Sequence, residues 1–306
     1  MDKIKIPLFV DSHMHFVIDG RPVNEEGIIS IRNALLEHGI FSVRDMGYKT
    51  GIGIYAKKIS ANDIRIKTAG YAIYRKGTYG VFLGRGISEI NEVKGVVREI
   101  AEAGADFIKI VNSGIVCAKG SGLVTPGGFS LEIVKAICDE AKEIGLTIAC
   151  HANGDEAIRN AIIAGASSIE HGYFISDEAL YMMKETGTSW TPTIFALANF
   201  SKILSASEKR YIQEVIDKHM ASINLASSIG VRLNVGTDSG SKGVRHGESF
   251  FEELRLFRRA GLSLDQILSA ACMGTEEIEK GNYLIVNEDF IDTKIIEVYS
   301  NLFFSR

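Results

Sequence analysis

Two histidines one residue apart, His13 and His15, close the apolar stretch Leu8-Phe9-Val10-Asp11-Ser12-His13-Met14-His15-Phe16. Side chains alternate faces along a strand, so at a strand end both imidazoles project to one side, a few ångströms apart. Paired imidazoles of this kind suit a divalent cation. The pair alone is weakly specific, because histidines often sit together on polar surfaces. It gains specificity when further ligand-type residues fall at other strand ends. Four do: Lys109 in Phe107-Ile108-Lys109-Ile110-Val111, His151 in Ala149-Cys150-His151-Ala152-Asn153-Gly154-Asp155, His171 in Ile169-Glu170-His171-Gly172, and Asp238 in Val235-Gly236-Thr237-Asp238-Ser239-Gly240.

Each has a plain alternative. A free ammonium at Lys109 would meet a heavy desolvation cost. Either Lys109 snorkels to a rim, or burial lowers its pKa and lets the amine take up CO2. The resulting carbamate has two oxygens with which to bridge two cations. His151 and His171 read equally as hydrogen-bonded core histidines, and Asp238 as a helix N-cap. All of them at successive strand ends is hard to obtain by chance.

The elements that would position these residues repeat. An amphipathic helix, a glycine and a short apolar strand recur around Gly39, Gly104, Gly145, Gly165, Gly187 and Gly230. Glycine just past a helix accepts the positive φ of the helix end. Val93, Val96, Val97 and Ile100 form one helical stripe, and Leu131, Val134, Cys138 and Ala141 another. Such alternation predicts stacked βαβ units and a parallel sheet. Eight strands are expected, near 8–12, 40–45, 64–73, 107–112, 147–151, 168–172, 189–195 and 231–238. The expected fold class is therefore α/β, a (β/α)8 TIM barrel, with catalytic groups at the C-terminal strand ends. No GxGxxG follows the first strand and no GxxxxGK[ST] occurs, which disfavours a nucleotide-binding sheet. With only four prolines and no low-complexity linker, one domain over 1–306 is expected, the barrel spanning about 8–272. Ser263 and Gln266 form a capping box, and two tail strands are expected within about 282–304.

The order HxH, strand-4 lysine, strand-5 histidine, strand-6 histidine, strand-8 aspartate resembles the binuclear amidohydrolase superfamily. The segments around Lys109, His151, His171 and Asp238 resemble its imidazolonepropionase-related, prolidase-like branch of dipeptidases. The resemblance runs from Val10 to Ala271. It implies that His13, His15 and Asp238 bind one ion, that His151 and His171 bind another, and that carboxylated Lys109 is shared. Zinc is the first choice of metal, with manganese, iron or cobalt as alternatives. The implied reaction is hydrolysis of an amide in a small peptide or N-acyl amino acid. A hydroxide bridging ions about 3.5–4 Å apart would attack the carbonyl, with Asp238 acting as base and then acid.

Two departures from the family pattern bear on this expectation. Relatives usually carry an N-terminal β-segment that joins C-terminal strands in a small sandwich. Here the first barrel strand comes almost at once, so the sandwich is expected to be absent or reduced to the tail strands. Apolar barrel surface would then be left for a second subunit, making a homo-oligomer the expected state. Related peptidases also tend to have a Gly-Gly-His-Gly stretch after strand 3, where this chain has Tyr74-Arg75-Lys76-Gly77-Thr78-Tyr79-Gly80. Substrate-binding candidates are Tyr173, His246, Tyr79 and Arg75, with Lys76 and Arg245 as further partners for a substrate carboxylate.

Composition narrows the partners. Of 306 residues, 46% are hydrophobic and 24% charged, with a formal net charge of −4. That balance gives no reason to expect nucleic acid or an acidic membrane as partner; a small-molecule substrate is what the resemblance implies. The N-terminal residues lack a signal-peptide pattern and no apolar run reaches membrane-spanning length. Cys117, Cys138, Cys150 and Cys272 lack CxxC spacing and read as reduced thiols of a cytoplasmic protein. The rival activities are a one-metal deaminase of a nitrogen heterocycle, disfavoured by Lys109, and a lactonase or esterase on the same metal pair. A non-catalytic barrel is the third rival.

Overall fold

A computed structural model describes residues 3–118, 124–287, 290–292 and 297–301. Short, mostly parallel strands alternate with helices whose apolar stripes face inward, giving the (β/α)8 barrel. The helix Val93–Glu102 buries Val93, Val96, Val97 and Ile100, and Leu131–Glu143 buries Val134, Ile137, Cys138 and Ala141. These are the stripes legible in the sequence, apart from Leu131, which is only partly buried, and Ile137, which joins the second. Gly165 at φ 97 and Gly230 at φ 88 end their helices in the left-handed region, as their positions predict.

The first barrel strand, Phe9–Met14, lies parallel to Ile40–Asp45, which pairs with Arg65–Thr68. The third strand is not continuous over 64–73. It breaks at Gly70 (φ 63), and its second half, Ala72–Arg75, turns to pair with Phe107–Val111, Ala72 opposite Lys109. A Cβ on Gly70 would lie 2.7 Å from Ile54 Cδ1, the movable end of a side chain, so it is the positive φ that favours glycine there. One strand thus serves two neighbours by bending. An additional strand, Gly84–Ile87, flanks Ala72–Arg75. Phe107–Val111, Thr147–Ala152, Ser168–His171 and Ser189–Thr191 continue in order.

The eighth strand is irregular. Within 231–238 a single bridge, Leu233 to Trp190, has ladder geometry. Closure rests on individual amides instead: Asn234 N donates to Trp190 O at 2.8 Å, Ser12 N to Val235 O at 2.8 Å, and Asp238 N to His13 O at 2.7 Å. Buried Asp11 adds a tie, its carboxylate accepting from Thr237 Oγ1 at 2.6 Å and Thr237 N at 3.0 Å.

Outside the barrel, the tail strand Tyr283–Asn287 pairs antiparallel with both Lys3–Pro7 and Glu297–Tyr299. The small sheet therefore recruits an N-terminal strand as well as the expected tail strands. Ile295 and Ile296, also expected in the last strand, lie outside the described residues. All four cysteines are free thiols. Among the described residues, no helix is long and apolar enough to cross a membrane.

Candidate metal centre

At the C-terminal strand ends, His13 and His15 converge on Asp238. His13 Nε2 and His15 Nε2 lie 3.5 and 3.4 Å from Asp238 Oδ1. One ligand atom from each of the three falls within 4.8 Å of the others. His171 stands beside them, its ring centroid 4.8 Å from that of His13 and 4.5 Å from that of His151. These residues and Lys109 line one cavity of about 280 Å³. All six ligand-type residues named from the sequence are thus brought to one place.

Each imidazole is fixed through one nitrogen by a protein group, which leaves the other free for a cation. His13 Nδ1 is 2.7 Å from Glu170 Oε2, and His15 Nδ1 is 2.8 Å from Gly47 O. His171 Nδ1 lies 2.7 Å from Thr193 Oγ1. His151 is held the other way round, with Nε2 2.9 Å from Gly114 O. Glu170 is fully buried and also accepts from Ser168 Oγ at 2.6 Å.

The electrostatics favour deprotonated ligands. Burial pushes His13 down to about 4 and His151 to about 3, with the Lys109 charge adding to both. Burial also holds His171 well below the usual histidine value. His15 goes the other way: burial opposes its protonation, but its hydrogen bond to Asp238 and that residue's charge raise its pKa. For Asp238, burial opposes ionisation, yet the His15 hydrogen bond and nearby cations keep the carboxyl below its ordinary range.

Lys109 is 1% exposed, and among the described residues its Nζ has no hydrogen-bond partner. Burial lowers its pKa, which favours the neutral amine, the form that reacts with CO2. An amine without a partner among the described residues, beside four imidazoles and one carboxylate, is the donor set that a cation pair and a carbamate would complete. The residues present fit that group, and nitrogen and oxygen ligands suit zinc, manganese, iron or cobalt.

Backbone strain concentrates here as well. Among the described residues five non-glycine residues have positive φ, and three of them are His171 (65), Thr193 (49) and Asp238 (55), the distribution expected where strain is retained for function.

Of the substrate candidates, Tyr173 and Tyr79 line the cavity. His246 does not; it is buried, with Nε2 2.9 Å from His15 O. Arg75 is exposed and outside the lining, Lys76 pairs with Glu92 at 2.8 Å, and Arg245 lies 3.5 Å from Glu248 on the surface. Neither His246 nor Arg75 is therefore placed to touch a substrate in this cavity. Sequence reasoning missed the roles of Glu170 and Thr193. A glutamate within the apolar strand Ser-Ile-Glu-His was a readable signal of a buried partner; nothing in the sequence marked Thr193.

The amidohydrolase family model matches residues 4–278. An uncharacterised protein of Mycobacterium tuberculosis is 28% identical over 278 residues, covering 87% of this chain and 72% of that protein. Ochratoxinase of Aspergillus niger is 30% identical over 159 residues, covering 50% of this chain and 33% of that enzyme. Among solved structures, a Xaa-Pro dipeptidase with bound methionine superposes with TM-score 0.79 at 24% identity, over 97% of this chain and 85% of that one. The A. niger ochratoxinase structure gives 0.73 at 23% identity, over 87% and 70%.

Proposed function

Since the chain belongs to the amidohydrolase family, we propose that it hydrolyses the amide bond of a small peptide or N-acyl amino acid with an apolar side chain. The observation that carries this reading is the buried, unpartnered Lys109 amine among four histidines and an aspartate at successive strand ends. It distinguishes the two-ion hydrolase from a one-ion deaminase, whose branches lack that lysine. The similar fold of a Xaa-Pro dipeptidase with methionine in its active site supports a substrate of amino-acid size.

Divalent cations, when bound, would polarise the scissile carbonyl and acidify a water between them. His13, His15 and Asp238 would hold one and His151 and His171 the other, with Lys109, as a carbamate, supplying further oxygen ligands. Asp238, ionised, takes the proton of the attacking water and returns it to the departing amine. Above this floor the walls are apolar, built from Phe82, Leu83, Ile115, Val116, Leu197 and Phe200. They exclude water and select an apolar substituent.

At the rim, Lys242 also lines the cavity, and among the described residues no carboxylate pairs with its amine. Its carbonyl accepts from Asn199 Nδ2 at 3.2 Å, and the next amide, Gly243 N, donates to Asp19 Oδ1 at 2.8 Å, so the loop is tied on both sides. Lys242 takes the role of carboxylate partner that the sequence had offered to Arg75, Lys76 and Arg245.

The test is a screen of dipeptides and N-acyl amino acids with zinc-, manganese- or cobalt-loaded protein, alongside metal analysis. Two ions per chain and turnover of N-acetyl-L-leucine are expected. Its carboxamide analogue, which lacks the charge, should have a KM raised about tenfold. Lys242→Ala should erase that preference. A chain that retains one ion and releases ammonia from heterocycles would overturn the reading.

A further inference from the structure

Thr193 follows Pro192 at the end of the seventh barrel strand with φ 49 and ψ 50, a left-handed backbone that β-branched residues rarely adopt. It is fully buried. Its Oγ1 lies 2.7 Å from His171 Nδ1, and its carbonyl accepts the Tyr173 hydroxyl at 3.3 Å. A histidine that gives Nε2 to a cation carries its proton on Nδ1, so His171 donates here to Thr193. The aim of that imidazole depends on a residue whose backbone would relax elsewhere unless held.

Glu253 supplies the hold. It lies on the helix Glu248–Arg259, fully buried, and the next two amides after Thr193 both end on it. Ile194 N donates to Oε1 at 2.8 Å and Phe195 N to Oε2 at 2.7 Å. Among the described residues no cation pairs with this carboxylate. Burial pushes its pKa up to about 8 against the pull of the two amide donors, so the group is kept for its accepting oxygens rather than its charge, and the catalytic steps above make no use of it.

We propose that Glu253 is a positioning residue for the second ion: by gripping the two amides after Thr193 it fixes the strained turn that orients His171. Two acceptor oxygens are required. Glutamine offers one acceptor and one donor, so it would set its own N–H against a backbone N–H.

This inference rests on the two-ion reading, and zinc titration against a competing chelator tests the two separately. Wild-type protein should show two zinc affinities. Glu253→Gln and Thr193→Val should each weaken one site about 10–100-fold and leave the other unchanged. Because both act through the same contact, the double variant should be no weaker than Thr193→Val alone. Glu253→Asp, which keeps the carboxyl group but not its reach, should give the same loss and serves if Glu253→Gln does not fold. Wild-type protein taking up a single zinc would overturn the two-ion reading and this inference with it. Two wild-type zincs with unchanged affinities in the variants, or single-variant losses that multiply, would overturn the inference alone.

Discussion

Burial lowers the pKa of Lys109, and among the described residues its amine has no hydrogen-bond partner. A lysine merely packed in a barrel core would be inert toward carbon dioxide only if something else stabilised its charge. Glu170 lies close enough to bias it, but that carboxylate is already taken by His13 at 2.7 Å and Ser168 at 2.6 Å. Protein equilibrated with 13C-bicarbonate and zinc should therefore show a carbamate carbonyl resonance that Lys109→Ala abolishes. The variant should also hold fewer than two ions. Asp238→Asn keeps an oxygen ligand but cannot accept the water's proton, so turnover should fall about 10²–10⁴-fold with zinc retained. Full turnover in Asp238→Asn would remove the proton shuttle.

At the scale of elements, the site depends on how the eighth strand meets the first. Gly236 makes that approach possible. A Cβ there would lie 2.4 Å from Thr191 Cγ2, 2.7 Å from His13 Cβ and 2.9 Å from His13 N. Gly236→Ala should cost about 1–3 kcal/mol as an overpacked contact. It should also push Asp238 away from His13, so zinc binding weakens beyond what the lower melting temperature explains; a variant melting lower with unchanged zinc affinity would contradict this. That junction was half legible. Apolar runs and helix stripes announced where strands lie, and ligand-type residues announced which ends matter, because burial and period are written locally. The break at Gly70, the irregular 231–238 segment and the Lys3–Pro7 pairing are set by partners far along the chain, and local pattern carries no record of them. Glu170 and His13 are 157 residues apart. Thr193 reaches His171 across two strands. Arg75 and His246 looked suitable by type, but the turn at Gly70 and the packing of the 239–247 loop point them elsewhere.

For the molecule as a whole, the metal centre and the fold are linked, because strands from most of the barrel contribute ligands that exist together only in the folded chain. Zinc at a hundredfold excess over its dissociation constant should add about 2.7 kcal/mol per site. That is a rise of about 4 °C in melting temperature for each site, reversed by a chelator. Acidity should act through the buried histidines. Burial pushes His13 to about 4, His151 to about 3 and His219 to about 4, whereas an unfolded histidine titrates near 6.5. At these histidines the unfolded chain binds more protons between those values, so their contribution rises with pH. Burial pushes Asp11 up to about 7 and Glu253 up to about 8, and their contributions run the other way. The histidine contribution is fully present above about 6.5 and is lost as pH falls toward 4. His219 packs 4.1 Å from Tyr173, centroid to centroid, and ligates nothing, so its share should persist in metal-free protein. From pH 6.5 to 4 the zinc-loaded protein should therefore lose melting temperature more steeply than the chelated protein, as protons displace the ions. Parallel declines with and without zinc would show that the ions do not share their ligands with the proton equilibrium. They would place the cation site away from His13 and His151.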